Sequence, residues 1–176
     1  MSIGSKNFFE IFSLPESFDL DLEKLSSEYK RLQSQSHPDK FSDADDATRL
    51  QALQLSSYIN EAFVTLKAPL TRAAYLLKLQ NIDPEEHNQA HLSEALLMQQ
   101  MDWRDLLEFA IETEDMDALE RLKQEVKTEH QACIDEFRSG VAAGKYNEAK
   151  PVYNKLQFIE KMLIEINRAE EKILDY

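Results

Sequence analysis

One local sequence in this chain of 176 residues stands out for the chemistry its residue types could do, Ser36-His37-Pro38-Asp39-Lys40-Phe41. Pro38 lacks an amide hydrogen and disfavours helical backbone in the residue before it, so it interrupts helix and exposes His37, Pro38 and Asp39 together at a turn. Composition alone would produce this tripeptide by accident at a rate of about one in a hundred, so its position carries more information than its presence. The other reactive side chains offer less. His87, His91 and His130 match none of the usual metal-ligand spacings, and Cys133 falls on an apolar helix stripe, where it reads as a small buried hydrophobe. There is no glycine-rich phosphate loop, no GxSxG and no HExxH. With no nucleophile beside a base, the expectation is a protein that recognises partners: not an enzyme, and without a cofactor or metal of its own.

The turn needs two helices to hold it. Leu22, Leu25, Tyr29 and Leu32 recur at three- and four-residue steps, with Asp21 in position to cap the helix they define. On the other side of the turn, Leu55, Ile59, Ala62, Phe63 and Leu66 form a second stripe, and Ser42 with Asp45 three residues on resembles a capping box at its start. The pair reads as an antiparallel hairpin with His37-Pro38-Asp39 at its tip. Phe8, Phe9, Ile11 and Phe12 supply a short apolar segment before it, and Pro69 opens a further helix whose Ala73, Leu76 and Leu77 can cover the pair.

Composition limits the class. Only 3 Gly and 5 Pro are present, and the abundant Leu, Glu, Lys, Ala and Gln favour a nearly all-helical chain. A formal net charge of −13 argues against a general nucleic-acid or anionic-membrane binder. One cysteine permits no internal disulfide, so stability must come from packing. Residues 1–12 contain no apolar run of signal-peptide length, and no window approaches the roughly 20 apolar residues of a membrane span; a cytosolic (cytoplasmic) protein is the expectation.

The polar stretch 81–91 is the best domain boundary, dividing a first domain (1–80) from a second (92–176). The second reads as an antiparallel three-helix bundle. Its first helix spans roughly 92–112. Its second carries Leu119, Leu122, Val126, Cys133 and Phe137 and stops near Gly140; its third begins around 147–151, with a seam at Val152, Leu156, Ile159, Leu163, Ile166 and Ile173. At about 100° per residue from Leu92, the side chains of Leu96, Trp103, Leu107 and Ala110 cluster on one face, while Met98, Met101 and Phe109 share the far side with Asp102 and Asp105. Phe158 on the last helix is likewise expected to point away from its own core. Exposed apolar residues that gather into a patch mark interaction sites.

The hairpin with its HPD tip, from Asn7-Phe8-Phe9-Glu10-Ile11-Phe12 through Tyr29-Lys30-Arg31-Leu32 to Ile59-Asn60-Glu61-Ala62-Phe63, resembles the J domain of J-protein co-chaperones. That resemblance implies that His37, Pro38 and Asp39 stimulate the ATPase of a DnaK-type chaperone, with Lys30, Arg31 and Lys40 as a basic docking face. The segment before HPD reads Leu32-Gln33-Ser34-Gln35-Ser36, without the lysine-rich pattern of many general J domains, which favours a dedicated chaperone. Adding Pro69-Leu70-Thr71-Arg72-Ala73-Ala74-Tyr75-Leu76-Leu77 and the acidic bundle, essentially the full length is similar to the HscB family of iron–sulfur cluster assembly. The likeness implies a bundle that binds the scaffold protein IscU through Leu97, Met98, Met101, Asp102, Asp105 and Phe158 and presents it to the chaperone ATPase HscA. Phe109 stands where that family would place a carboxylate. The alternative is a general J-protein of DnaK with another client.

Overall fold

Several helices in this protein begin where a side chain takes over an amide that has no intrahelical partner. In the computed structural model, which describes residues 6–41, 44–85 and 94–174, the Asn7 side chain accepts from the Glu10 amide while Glu10 reaches back to the Asn7 amide. This reciprocal box starts α1 (Phe8–Ile11). Asp21 accepts from the Lys24 amide at 2.9 Å to start α2 (Leu22–Ser36), as its position predicts. A 3-10 turn, Pro38–Phe41, follows. For α3 (Asp46–Lys67) the cap is Asp45, accepting from the Thr48 amide at 3.1 Å, rather than the expected Ser42, which lies outside the described residues. Asp45 is therefore the cap and not the third residue of a box, and its carboxyl is held below its ordinary pKa by the Thr48 hydrogen bonds. Pro69 occupies the first position of α4 (Pro69–Leu79), where its missing amide costs no hydrogen bond.

These elements form the first of two units, residues 1–79. Leu25, Ile59, Ala62, Leu66, Ala73, Leu76 and Leu77 are buried together with Phe9 and Phe12. Leu22, expected on the buried stripe, is instead 47% exposed, because the first turn of α2 extends past the end of its partner helix. Across the hairpin, Tyr29 stacks on Phe63 at 4.0 Å and its hydroxyl donates to Asn60 Oδ1 at 3.0 Å. Gln33 donates to the same Asn60 oxygen. Phe8 stacks on Tyr75 at 4.3 Å and donates its amide to the Tyr75 hydroxyl, tying α1 to α4. Arg72, within the covering helix, is buried: it donates to the Leu66 carbonyl at 2.8 Å and lies 5.2 Å from the Phe18 ring, so a charged group closes the end of α3.

The second unit, residues 80–176, contains α5 (Glu94–Glu112), α6 (Met116–Ala142) and α7 (Tyr146–Leu174). Most of the expected 81–91 boundary, residues 86–91, lies outside the described residues. The helix α6 runs on past Gly140, the expected stop, to a turn in which Gly144 adopts φ +71° and the Lys145 amide reaches the Gly140 carbonyl at 2.8 Å. The turn between α5 and α6 is built the same way, with Glu114 at φ +52° and the Asp115 amide on the Ala110 carbonyl. Ion pairs Lys123–Glu170 and His130–Glu160 descend one helix as they ascend the other, which makes α6 and α7 antiparallel. On α7 the buried stripe is broader than the expected seam, comprising Ala149, Val152, Tyr153, Leu156, Ile159, Met162, Ile166 and Ala169. Met162 takes the fully buried place expected of Leu163, which is half-buried, because a straight helix of 3.6 residues per turn drifts off a strict seven-residue repeat. All elements among the described residues are helical, and no described helix is long and apolar enough to cross a membrane.

Candidate functional site

The tip of the hairpin is shaped by the residues on either side of Pro38. Ser36, the last residue of α2, is buried and donates its hydroxyl to the Leu32 carbonyl at 2.9 Å. His37 then leaves helical geometry at φ −58°, ψ 127°, the extended conformation that a following proline imposes. Its carbonyl accepts from the Lys40 amide at 3.0 Å, and the Phe41 carbonyl from the Ala44 amide at 3.1 Å, so the turn is closed by backbone. Beneath it lies a small cavity of about 120 Å³ lined by Ile11, Leu32, Ser36, Phe41, Ala52 and Ile59. Half-buried Phe41 is part of this wall while Lys40 before it is exposed.

His37, Lys30, Arg31 and Lys40 are all exposed; the side chains of Pro38 and Asp39 lie outside the described part of the structure. Arg31 is paired with Glu28 at 2.7 Å and donates to Gln35 at 3.3 Å. An exposed pair of this kind is worth about 0–1 kcal/mol, so the guanidinium can exchange Glu28 for a carboxylate on a partner at little cost. Lys30, Arg31 and Lys40 are thus exposed cations of the first unit on a chain whose formal net charge is −13.

In the second unit, α5 buries Trp103, Leu107 and Ala110 and turns the opposite side outward, as the helical spacing predicts. Met98 and Met101 are 58% and 65% exposed, Phe109 is 54% exposed, and Leu97, Asp102 and Asp105 are exposed beside them. An open groove of about 830 Å³ runs along this side, lined by Met98, Asp102, Trp103, Asp105, Leu106 and Glu125. Its floor is fixed by the Trp103 indole, which donates to Glu125 Oε1 on α6 at 2.8 Å. Phe158 departs from expectation. It is half-buried rather than turned away from its core, stacked on Trp103 with ring centres 6.0 Å apart and planes 10° from parallel, with the Arg104 guanidinium 6.0 Å away. Packing of α7 beside α5 brings it there.

Trp103 is therefore the shared neighbour of the groove and of Phe158, a position that helical spacing assigned only to the core. Leu106 and Glu125 also escaped the sequence reading. Leu106 lies close to the buried face by angle yet is 47% exposed, and Glu125 belongs to another helix, so no pattern within α5 marks either. Among the ligand candidates, His130 pairs with Glu160 at 3.3 Å, and His87 and His91 lie outside the described residues. No group of three or more potential metal ligands occurs among the described residues. Cys133 is buried, as expected, and burial pushes its thiol up to about 11, away from the thiolate that reactivity requires.

Comparison with known proteins gives consistent findings. A family profile described as "HSCB C-terminal oligomerisation domain" matches residues 92–167. A co-chaperone protein HscB homolog of Aeromonas hydrophila is 38% identical over 170 residues, covering 96% of this chain and 99% of the relative. The solved structure of chaperone HscB from Vibrio cholerae superposes with a TM-score of 0.84 at 36% identity, covering 96% of this chain and 99% of that one. The crystal structure of human co-chaperone protein HscB superposes with a TM-score of 0.88 at 27% identity, over 94% of this chain and 83% of that one.

Proposed function

Since the chain belongs to the HscB family of co-chaperones, we propose that it is an adaptor of iron–sulfur cluster assembly. One surface binds an IscU-type scaffold protein; the other engages an HscA-type chaperone ATPase. The observation that carries this reading is the outward face of α5, where exposed methionines flanked by Asp102 and Asp105 lie in one unit while the HPD turn belongs to the other. Thioether side chains adapt to a partner's contour, and the acidic pair favours a basic rim on the scaffold. Leu97, Met98, Met101, Asp102, Asp105 and Phe158 would hold the scaffold. His37, Pro38 and Asp39, with Lys30, Arg31 and Lys40 as a steering face, would act on the ATPase by favouring its hydrolysing conformation.

Covalent connection of the two surfaces raises the effective concentration of scaffold at the chaperone, which is how an adaptor accelerates delivery without making or breaking a bond. Steady-state ATP hydrolysis by purified HscA, and separately by DnaK, with and without IscU, tests the reading. Synergistic stimulation of HscA that requires IscU is the expected result. Stimulation of DnaK alone would make this a general J-protein with another client. The substitution His37→Gln should abolish stimulation yet leave scaffold affinity unchanged, because the two surfaces are separate; joint loss of both would sink the two-surface scheme.

A further inference from the structure

The HPD turn is attached to the hairpin on each side of it. Before it stands Ser36, 3% exposed, with its hydroxyl bonded to the Leu32 carbonyl; after it stands Phe41, the last residue of the 3-10 turn Pro38–Phe41. Both line the cavity of about 120 Å³ whose wall on the α3 side is Ala52, Leu55 and Ile59. Among the described side chains of residues 37–41, His37 and Lys40 are exposed and Phe41 is half-buried. The backbone bonds that close the turn, from the Lys40 amide to His37 and from the Ala44 amide to Phe41, join residues close in sequence. They shape the turn without fixing it to α3. Because a 3-10 helix repeats every three residues, the placement of residue 41 also sets the rotation of the residues before it about the axis of the turn.

We infer that Phe41 is a positioning residue: its ring, in the cavity wall with Ala52, Leu55 and Ile59, holds the backbone of His37, Pro38 and Asp39 in the setting that acts on the chaperone ATPase. The inference rests on the reading of HPD as the activating motif and names what keeps that motif in place. The cavity makes the turn dependent on this one side chain. With space already open beneath the turn, truncation at position 41 enlarges a void that residues held on α3 cannot collapse to fill. The turn then samples several settings on an intact hairpin. Lys30 and Arg31 stay on α2, so docking continues, but only a fraction of docked complexes presents HPD correctly.

Steady-state ATP hydrolysis by HscA, titrated with the full chain at saturating IscU, tests this. Phe41→Ala should lower the maximal stimulation about fivefold or more and leave the half-saturating concentration within about twofold of wild type. Loss of folded protein has the opposite signature, because a smaller competent fraction raises the half-saturating concentration and is overcome by adding more chain. Phe41→Leu, which keeps an apolar group on the turn, should recover about half of the stimulation or more. Phe41→Ala combined with Ala52→Leu refills the space from α3, so it should regain thermal stability by circular dichroism without regaining stimulation. Should Phe41→Ala alone not fold, the double variant carries the test. Maximal stimulation by Phe41→Ala within about twofold of wild type overturns the inference. So does a double variant that stimulates like wild type, since packing by itself would then suffice. A His37→Gln chain that stimulates like wild type removes the HPD reading itself, whereas loss in His37→Gln with none in Phe41→Ala leaves that reading standing and removes only the role of Phe41.

Discussion

Replacing Phe158 by Ala tests whether this ring belongs to the bundle as well as to the binding surface. A phenylalanine side chain carries about 200 Å² of surface. With about two thirds of it buried against Trp103 and its surroundings, removal forfeits about 3 kcal/mol at about 25 cal/mol per Å². Loss of the near-parallel stack on Trp103 adds about 0.5 kcal/mol, and relaxation of neighbouring side chains returns part, leaving an expected loss of about 2–3 kcal/mol. Trp103 is the single tryptophan and lies in the second unit, so its fluorescence in urea reports the unfolding of that unit. With a slope of about 1–1.5 kcal/mol per molar for a unit of this size, the midpoint should fall by about 2 M. The native emission should also change, because the neighbour of the indole has gone while its bond to Glu125 remains. Phe158→Leu, which keeps apolar volume but no stack, should lose clearly less. A midpoint shift under about 0.5 M for Phe158→Ala would refute the reasoning, since the ring could not then be packed on Trp103 in solution. The practical consequence is that weakened scaffold binding by Phe158→Ala must be measured without denaturant, under conditions in which the variant's second unit is fully folded.

Other consequences follow from single features. Glu114 occupies a left-handed position that suits glycine, so Glu114→Gly should stabilise the second unit by about 0.5–1 kcal/mol, while Gly144→Ala in the matching turn should destabilise it by about 1 kcal/mol, both read by Trp103 fluorescence in urea. Arg72→Leu should cost the first unit about 2–3 kcal/mol by far-UV circular dichroism, because the Leu66 carbonyl loses a charged, buried donor. Asp45→Ala should destabilise the first unit at neutral pH. Its carboxyl has a lower pKa folded than unfolded, so the difference from wild type should shrink as pH falls below about 4 and the cap protonates. Cys133 should resist a thiol reagent such as DTNB at pH 8 and react once urea unfolds the chain. Above pH 9.0, its ordinary value, an unfolded chain releases the thiol proton that the fold retains up to about 11, so the second unit should lose stability as pH rises through that window.

Much of the architecture was legible in the residues because helical spacing and caps are local. Asp21, Pro69 and the stripes of Ile59, Ala62 and Leu66 or Leu119, Leu122 and Val126 need only a few neighbouring residues to declare themselves, and each stands where its pattern predicts. The outward turn of Met98 and Met101 was legible for the same reason, since one helix has one buried face and these residues oppose it. Errors arose where two local signals competed or where a partner helix decided. Ser42 and Asp45 are both acceptable caps, and only the start of the backbone helix chooses between them. Leu163 yields to Met162 because the straight α7 drifts off the seven-residue repeat on which the seam was read.

Residue order alone therefore determined that the chain is helical, where α2 and α4 begin, that an HPD turn caps a hairpin, and that α5 keeps an apolar strip outside. Tertiary structure decided which residues from different helices meet. Phe158 lies on Trp103, and Glu125 holds that indole from a second helix. The division has a physical cause. Periodicity and capping act over three to seven residues, whereas contacts separated by 22 or more positions depend on crossing geometry and register, which no single segment encodes.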